Sequence, residues 1–151
     1  MPTNPLNIDD DLQASSLAGP ENQRVLVVDT SALVAIVQGE QDSEAVRNCL
    51  RQAERVLMLA ASLTELMIVS FSRGIGDLVQ RLIDETPIEI VPHDEGLAQI
   101  AVEAHRQFGK RNHPARLNFG DCFAYALAKS SDLPLLYVGG DFARTDVRSA
   151  L

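Results

Sequence analysis

Residues 25–38, VLVVDTSALVAIVQ, carry the clearest indication of fold class in this chain. The first four are valine or leucine, which is typical of a short strand buried on both faces of a sheet. After Asp29 the apolar residues continue up to Gly39, as in a helix that ends at a glycine. A buried strand followed at once by a helix predicts an α/β fold with a mainly parallel sheet.

The alternation of strands and helices continues outward from this stretch. Periodic apolar residues predict strands at 55–60, 88–91 and 133–138, and helices at 42–53, 62–74, 76–85, 94–108 and 117–129. We therefore expect a three-layer α/β/α domain, in which helices cover both faces of a mainly parallel central sheet.

Length and composition fit one domain preceded by a leader. The 151 residues suffice for one full core, and a hydrophobic fraction of 46% is that of an ordinary globular protein. Residues 1–24 are polar, contain three prolines and show no periodicity, so we interpret them as a flexible leader and residues 25–151 as the domain. The leader lacks the basic and apolar regions of a signal peptide.

Two further features bear on the compartment. No apolar run approaches the roughly 18 residues that a membrane-spanning helix needs. Cys49 and Cys122 are far apart and lack CxxC or zinc-ligand spacing, which predicts two free thiols in a reducing environment. Both features favour a cytoplasmic protein that does not contact a membrane.

Charge is unevenly distributed along the chain. The formal net charge is −8, whereas nucleic-acid-binding proteins are normally basic, so nucleic-acid binding would depend on a local feature. Residues 105–116, here called the basic segment, have a net charge of +4 and no acidic residue. This segment is either a solvated loop or a site for phosphate groups. Its cations are Arg106, Lys110, Arg111 and Arg116.

Four acidic residues occupy the positions where α/β folds form their sites. Asp29 follows the first predicted strand and Asp141 the last, while Glu65 and Asp121 lie near the starts of predicted helices. In an open parallel sheet, strand ends and helix starts meet at one edge, where ligands bind. We therefore expect these four carboxylates to lie close together.

Each acid also has a purely local interpretation. Asp29 has the position of a helix N-cap, and Asp141 follows two glycines in a loop. Glu65 follows Ser62 at capping-box spacing, and Asp121 follows Asn118 at the same spacing. If the four acids do cluster, their repulsion would raise their pKa values unless a cation lies among them. An all-oxygen acidic site suits Mg²⁺ or Mn²⁺ better than zinc.

Four motifs occur together in the order of a PIN domain. VVDTSALVAI (27–36), Glu65, LNFGDCFAYALAK (117–129) and GDFARTDV (140–147) resemble this family, and in particular the VapC toxins of bacterial type II toxin–antitoxin pairs. The resemblance covers about residues 25–151. By position it implies that Asp29 is the first metal-binding aspartate, Glu65 the motif glutamate and Asp121 the helix aspartate.

The resemblance implies a function for the chain. It predicts an Mg²⁺- or Mn²⁺-dependent endoribonuclease that hydrolyses RNA through a metal-activated water and is silenced by a VapB-like antitoxin. We expect Asp29, Glu65, Asp121 and Asp141 to bind the metal and carry the catalysis. The expected RNA contacts are Thr30, Ser31, Arg106, Lys110, Arg111 and Arg116. The resemblance and the apolar helix at residues 62–74 also predict a homodimer.

One departure from the family pattern leaves alternatives open. Many relatives have two adjacent acids where this chain has Gly140 and Asp141, so Asp141 must provide the fourth carboxylate alone. One alternative is therefore a PIN-like binding protein that has lost its metal affinity. A haloacid-dehalogenase-like phosphatase also begins with a strand that ends in aspartate, but it needs a second acid two residues later, where this chain has Ser31.

Overall fold

Residues 24–151 are described by a computed structural model, and the predicted leader lies outside the described residues except for Arg24. The central sheet has four parallel strands in the order β3-β2-β1-β4. The strands are β1 (Val25–Val28), β2 (Arg55–Leu59), β3 (Ile88–Val91) and β4 (Leu135–Leu136). The helices are α1 (Thr30–Gln38), α2 (Ser43–Gln52), α3 (Ala60–Ser72), α4 (Gly76–Glu85), α5 (Glu95–Phe108) and α6 (Asp121–Ser131), followed by a 3-10 helix (Phe142–Arg144).

Alternate residues of β1 point into two separate cores. Val25 and Val27 pack with the buried faces of α5 and α6, whereas Leu26 and Val28 pack with α1, α2, α3 and α4. Because side chains alternate across a strand, an all-apolar strand requires cover on both faces. The predicted three-layer α/β/α architecture is confirmed.

The sheet order determines which loops meet at the carboxyl edge. Val27 of β1 pairs with Leu57 of β2 on one side and with Leu135 of β4 on the other. All strands run in the same direction, so the segments that follow β4, β1 and β2 leave the sheet side by side. Three of the four predicted acids follow these strands.

Three predicted elements differ from the structure by two or more residues at one end. Helix α6 begins at Asp121 instead of residue 117, because the Leu117 amide donates to the Phe108 carbonyl (3.0 Å) and its carbonyl accepts from the Lys110 amide (3.1 Å). Helix α3 begins at Ala60, directly after β2, instead of at residue 62. Strand β4 has two residues instead of six.

Neither cysteine forms a disulfide bond. Cys122 is a buried residue of α6, and Cys49 is half-buried on α2 with its Sγ 3.6 Å from the Ala150 carbonyl. The prediction of two free thiols is confirmed. None of the helices between residues 24 and 151 combines the length and the hydropathy that a membrane span requires.

Candidate active site

Asp29 is both a helix cap and a buried acid. It follows β1 in an extended conformation, and its Oδ2 accepts a hydrogen bond from the Ser31 amide (3.1 Å). Its residue surface is only 3% exposed. Burial raises the pKa of this carboxyl above its ordinary value, although hydrogen bonds from Ser31 and Thr30 act in the opposite direction. The hydrogen bonds of the cap therefore do not offset the free-energy cost of burying this charge.

Glu65 is not part of a capping box. Because α3 begins at Ala60, Ser62 and Glu65 lie within the helix and not at its start. The buried Ser62 hydroxyl and the buried Glu65 Oε2 have no hydrogen-bond partner within the described part of the chain. Burial raises the pKa of Glu65, and the charge of Asp29 raises it further. The local interpretation of Glu65 is therefore wrong.

Asp121 does form the predicted box. Its Oδ2 accepts from the Asn118 amide, and the Asn118 Oδ1 accepts from the Asp121 amide, both at 2.9 Å. The pKa of Asp121 is nevertheless raised to about 7, chiefly by burial and also by the charges of Asp29, Asp141 and Glu65. The hydrogen bond from Asn118 lowers this pKa without offsetting the other contributions. Asp121 is thus a cap and also a member of an acidic cluster.

Asp141 completes the cluster from the opposite side of β1. It lies in the exposed loop after β4, at the start of the 3-10 helix, and its side chain makes no capping hydrogen bond. Its charge raises the pKa of both Asp29 and Asp121. The structure therefore brings all four predicted acids into one electrostatic group, here called the carboxylate cluster.

Gly120 allows the cluster to be compact. A Cβ at this position would collide with the carboxylate of Glu65. The backbone at Gly120 has ordinary right-handed helical angles, so contact with Glu65, and not backbone conformation, favours glycine here. Sequence inspection did not predict this role because Gly120 has the appearance of a loop residue.

The carboxylate cluster suits a hard cation in its chemistry. Its donors are all oxygens, one of them buried without a partner, and each of Asp29, Glu65 and Asp121 has a raised pKa that a nearby cation would lower. Across residues 24–151, no three His, Cys, Asp or Glu side chains converge as a ready-made metal cage. The structure therefore gathers the charges without a preformed coordination shell.

A cleft of about 380 Å³ opens beside the cluster. Thr30, Ser31 and Glu65 line one part of it, and Glu40 and Arg73, which the sequence had not indicated, line another. The Ser31 hydroxyl accepts from the Val138 amide (3.1 Å) and thus joins the start of α1 to the segment after β4. Thr30 and Ser31 remain predicted substrate contacts.

The basic segment spans the end of α5 and the start of the chain that leads to α6. Arg106 lies in the last turn of α5 and forms an exposed ion pair with Glu103 (3.7 Å). Lys110 and Arg111 are exposed in the following turn. Arg116 has a left-handed backbone (φ 57°) and is also exposed. These four cations remain predicted substrate contacts.

Asp146, which the sequence had not indicated, anchors the C-terminal segment to α6. The buried Tyr125 hydroxyl donates to Asp146 Oδ1 (2.7 Å), and Lys129 Nζ lies 3.1 Å from Asp146 Oδ2. Both partners lie on α6, one and two turns after Asp121. Asp146 therefore has a structural role in fixing the chain that follows Asp141.

Comparisons with known proteins agree with this geometry. The family described as "PIN domain" matches residues 26–148. The chain is 40% identical over 129 residues to the VapC ribonuclease Mb2780c of Mycobacterium bovis, covering 83% of this chain and 98% of the relative. It is 41% identical over 130 residues to the ribonuclease VapC28 of Mycobacterium tuberculosis, covering 83% and 98%.

Solved structures show the same fold at lower identity. The crystal structure of Mycobacterium tuberculosis VapC20, described as a sarcin-ricin loop cleaving toxin, superposes with a TM-score of 0.65 at 16% identity, covering 81% of this chain and 95% of that one. The family match and this superposition identify the parallel sheet with its carboxylate cluster as a PIN fold. The chain belongs to the PIN-domain family, in the branch whose curated members are named VapC ribonucleases.

Proposed function

We propose that this protein is a divalent-metal-dependent endoribonuclease that acts in the cytoplasm as the toxin of a VapBC-type pair. One observation carries the proposal: at the carboxyl edge of the sheet, burial and the charges of neighbouring carboxylates raise the pKa values of Asp29, Glu65 and Asp121. Such mutual repulsion costs stability and persists at functional sites. Relatives at about 40% identity that are named ribonucleases support the reaction class.

Mg²⁺ or Mn²⁺ would be held by Asp29, Glu65, Asp121 and Asp141. A divalent ion there supplies the Lewis acidity that polarises a phosphoryl oxygen and activates water for in-line hydrolysis. The protein contributes orientation, because the Ser31 and Asn118 amides each fix one oxygen of the adjacent carboxylate.

The rest of the chain would provide RNA binding. Phosphate groups are repelled by a protein with a net charge of −8, so binding requires a local patch of opposite sign. The basic segment ends five residues before Asp121 and leaves its cations exposed. We propose that it binds backbone phosphates and that Thr30 and Ser31 contact the strand near the scissile bond.

Two solved structures support an antitoxin partner and hence toxin function. One is described as a toxin–antitoxin complex from Klebsiella pneumoniae (TM-score 0.62, 15% identity), covering 83% of this chain and 98% of that one. Another is VapBC2 from Rickettsia felis bound to a promoter DNA fragment (TM-score 0.62, 12% identity), covering 83% and 96%. We propose a VapB-like antitoxin for this chain on the strength of the shared fold and of the curated VapC relatives.

Isothermal titration of Mn²⁺ into the metal-free protein separates the nuclease from a metal-deficient PIN-like binder. We expect saturable binding that the Asp29→Asn change weakens strongly, because it removes one charge from the cluster and preserves shape. The matched control is Asp42→Asn, at an exposed position with no side-chain capping bond. Equal Mn²⁺ affinity in all three proteins, or no binding by the wild type, would contradict the proposal.

A further inference from the structure

Three aromatic rings form a row next to the carboxylate cluster. Phe119 is 78% exposed, the largest exposed fraction among the large apolar residues of the described part of the chain. Its ring meets that of Phe123 edge to face (centroids 4.8 Å apart), and Phe123 in turn meets His93 (5.3 Å). Exposing a phenylalanine this fully costs hydrophobic free energy that burial would recover. The aromatic row therefore needs an explanation beyond packing.

The aromatic row lies at the same edge of the sheet as the acids. His93 follows the carboxyl end of β3, and Phe119 precedes Asp121 by two residues, a distance of at most about 7 Å along the chain. A groove of about 480 Å³ runs from the row between α5 and α6. Its walls include Val102 and Cys122. The groove therefore reaches the carboxyl end of β3 at His93, next to the strands whose ends carry the acids.

One cation lines this groove. It is Arg106, the first cation of the basic segment, and His105 lies beside it in the groove wall. The only acid paired with them in the described structure is Glu103, which forms an exposed ion pair with Arg106 at 3.7 Å, a geometry of little energetic weight. Aromatic faces bordered by cations are the usual way to bind single-stranded nucleic acid, because every base has a π-face and every link a phosphate.

We propose that Phe119 and the aromatic row stack an unpaired nucleobase of single-stranded RNA and thereby position the adjacent phosphodiester at the carboxylate cluster. This inference rests on the proposed nuclease function and adds a base-binding subsite to it. Phe119 and Cys122, which line the groove, lie two residues before and one residue after Asp121, and Arg106 lines the groove as well. A cation at this place in an acidic protein favours a polyanion over an apolar protein helix as the occupant. Phe119 would thus bind a base of the substrate, whereas the basic segment binds only its phosphates.

The chain contains no tryptophan, so an F119W variant carries a single fluorescent reporter at the subsite. We expect single-stranded RNA to quench this fluorescence saturably, whereas an abasic oligomer of equal length and charge leaves it unchanged. The control is L78W, at an exposed position of α4 that packs towards α1 and α3 and not towards the groove. Equal quenching by the abasic oligomer, or equal quenching of L78W, would overturn the stacking proposal.

A second pair of variants distinguishes a ring from apolar bulk. In an Asp29→Asn background that prevents cleavage, F119L should bind labelled single-stranded RNA more weakly than F119W. The expected loss is roughly five- to 150-fold, the range for one stacked base. Equal RNA affinity of the two variants would point to a protein ligand and overturn the inference. Melting temperatures verify that both variants fold.

The two proposals fail in different ways. If the unmodified protein cleaves RNA with Mn²⁺ and F119W shows no RNA-specific quenching, the stacking proposal alone is overturned. If the unmodified protein does not cleave RNA at all, the proposed nuclease function is overturned instead, whatever the variants bind.

Discussion

Asp121 shows how one side chain can be a cap and a cluster member at the same time. Its reciprocal hydrogen bonds with Asn118 satisfy the helix terminus, and the positive end of the helix dipole favours its charge. Its pKa is still raised to about 7, because burial and three neighbouring carboxylates outweigh these contacts. Capping therefore explains why an aspartate is tolerated here. Burial within the cluster explains why the ionised form of its carboxyl is disfavoured.

The raised pKa of Asp121 predicts a pH dependence of stability in the metal-free protein. A carboxyl whose pKa is near 7 when folded and near 3.8 when unfolded holds its proton more tightly in the folded state. Stability should therefore fall as the pH rises from about 4 to about 7, and thermal melting should follow that trend. The Asp121→Asn variant should show a shallower fall, and saturating Mn²⁺ should restore the wild type at the upper pH. Parallel melting curves for both proteins across this range would disprove the assignment.

Gly120 gives a test at the residue scale that leaves the carboxylates themselves unchanged. A Gly120→Ala change fits the helical backbone but places a methyl group against the Glu65 carboxylate, so Glu65 must move out of the cluster. We expect Mn²⁺ affinity and RNA cleavage to fall about tenfold or more with little change in melting temperature. Gly140→Ala is the matched control, because nothing lies within 4 Å of a Cβ there. Similar cleavage by both variants would show that the position of Glu65 does not matter.

Two helix starts show where sequence patterns mislead. Ser62 and Glu65 have capping-box spacing, yet β2 runs straight into α3 at Ala60 and places both inside the helix. Residues 117–120 continue the apolar pattern of α6, yet Leu117 is fully buried and bonded to the end of α5. At Leu117, tertiary hydrogen bonds and burial determine the boundary, and local spacing encodes neither.

The exposed apolar face of helix α3 leads us to expect a homodimer that forms through this face. Ile68 and Phe71 lie one turn apart and are 63% and 58% exposed, which is costly for large apolar side chains on a free surface. We expect a dimer at micromolar concentration in sedimentation experiments, and dissociation by the double change Ile68→Glu and Phe71→Glu. Leu151→Glu, at an exposed apolar position outside α3, should leave the dimer intact. Detection of only a 16.4 kDa species for the unmodified protein would contradict this prediction.

At the scale of the whole molecule, the architecture was predictable and the groove was not. Continuous apolar strands alternating with helices determine a parallel sheet covered on both faces, and the motif order indicated the family that the relatives now show. The gathering of Asp29, Glu65, Asp121 and Asp141 follows from that topology. The aromatic row depends instead on the packing of α5 against α6, which brings His93 near Phe123 across about 30 residues. No spacing rule contains that information.

The whole-molecule consequence of toxin function is growth arrest. Expression of the unmodified protein without its partner should stop bacterial growth, because cleavage of cellular RNA would be unopposed. Asp29→Asn should relieve the arrest at equal protein level, whereas Asp42→Asn should not. Normal growth with abundant folded wild-type protein would contradict the toxin proposal.

Cleavage by the purified Asp121→Asn protein is the most direct test of the central claim that the carboxylate cluster is a metal-dependent nuclease centre. Asparagine caps a helix about as well as aspartate, so the metal-free melting temperature should remain equal or rise slightly as one repelling charge is removed. Mn²⁺-dependent cleavage of single-stranded RNA should fall by orders of magnitude. A melting temperature that drops by several degrees while cleavage persists would show that Asp121 is only a cap.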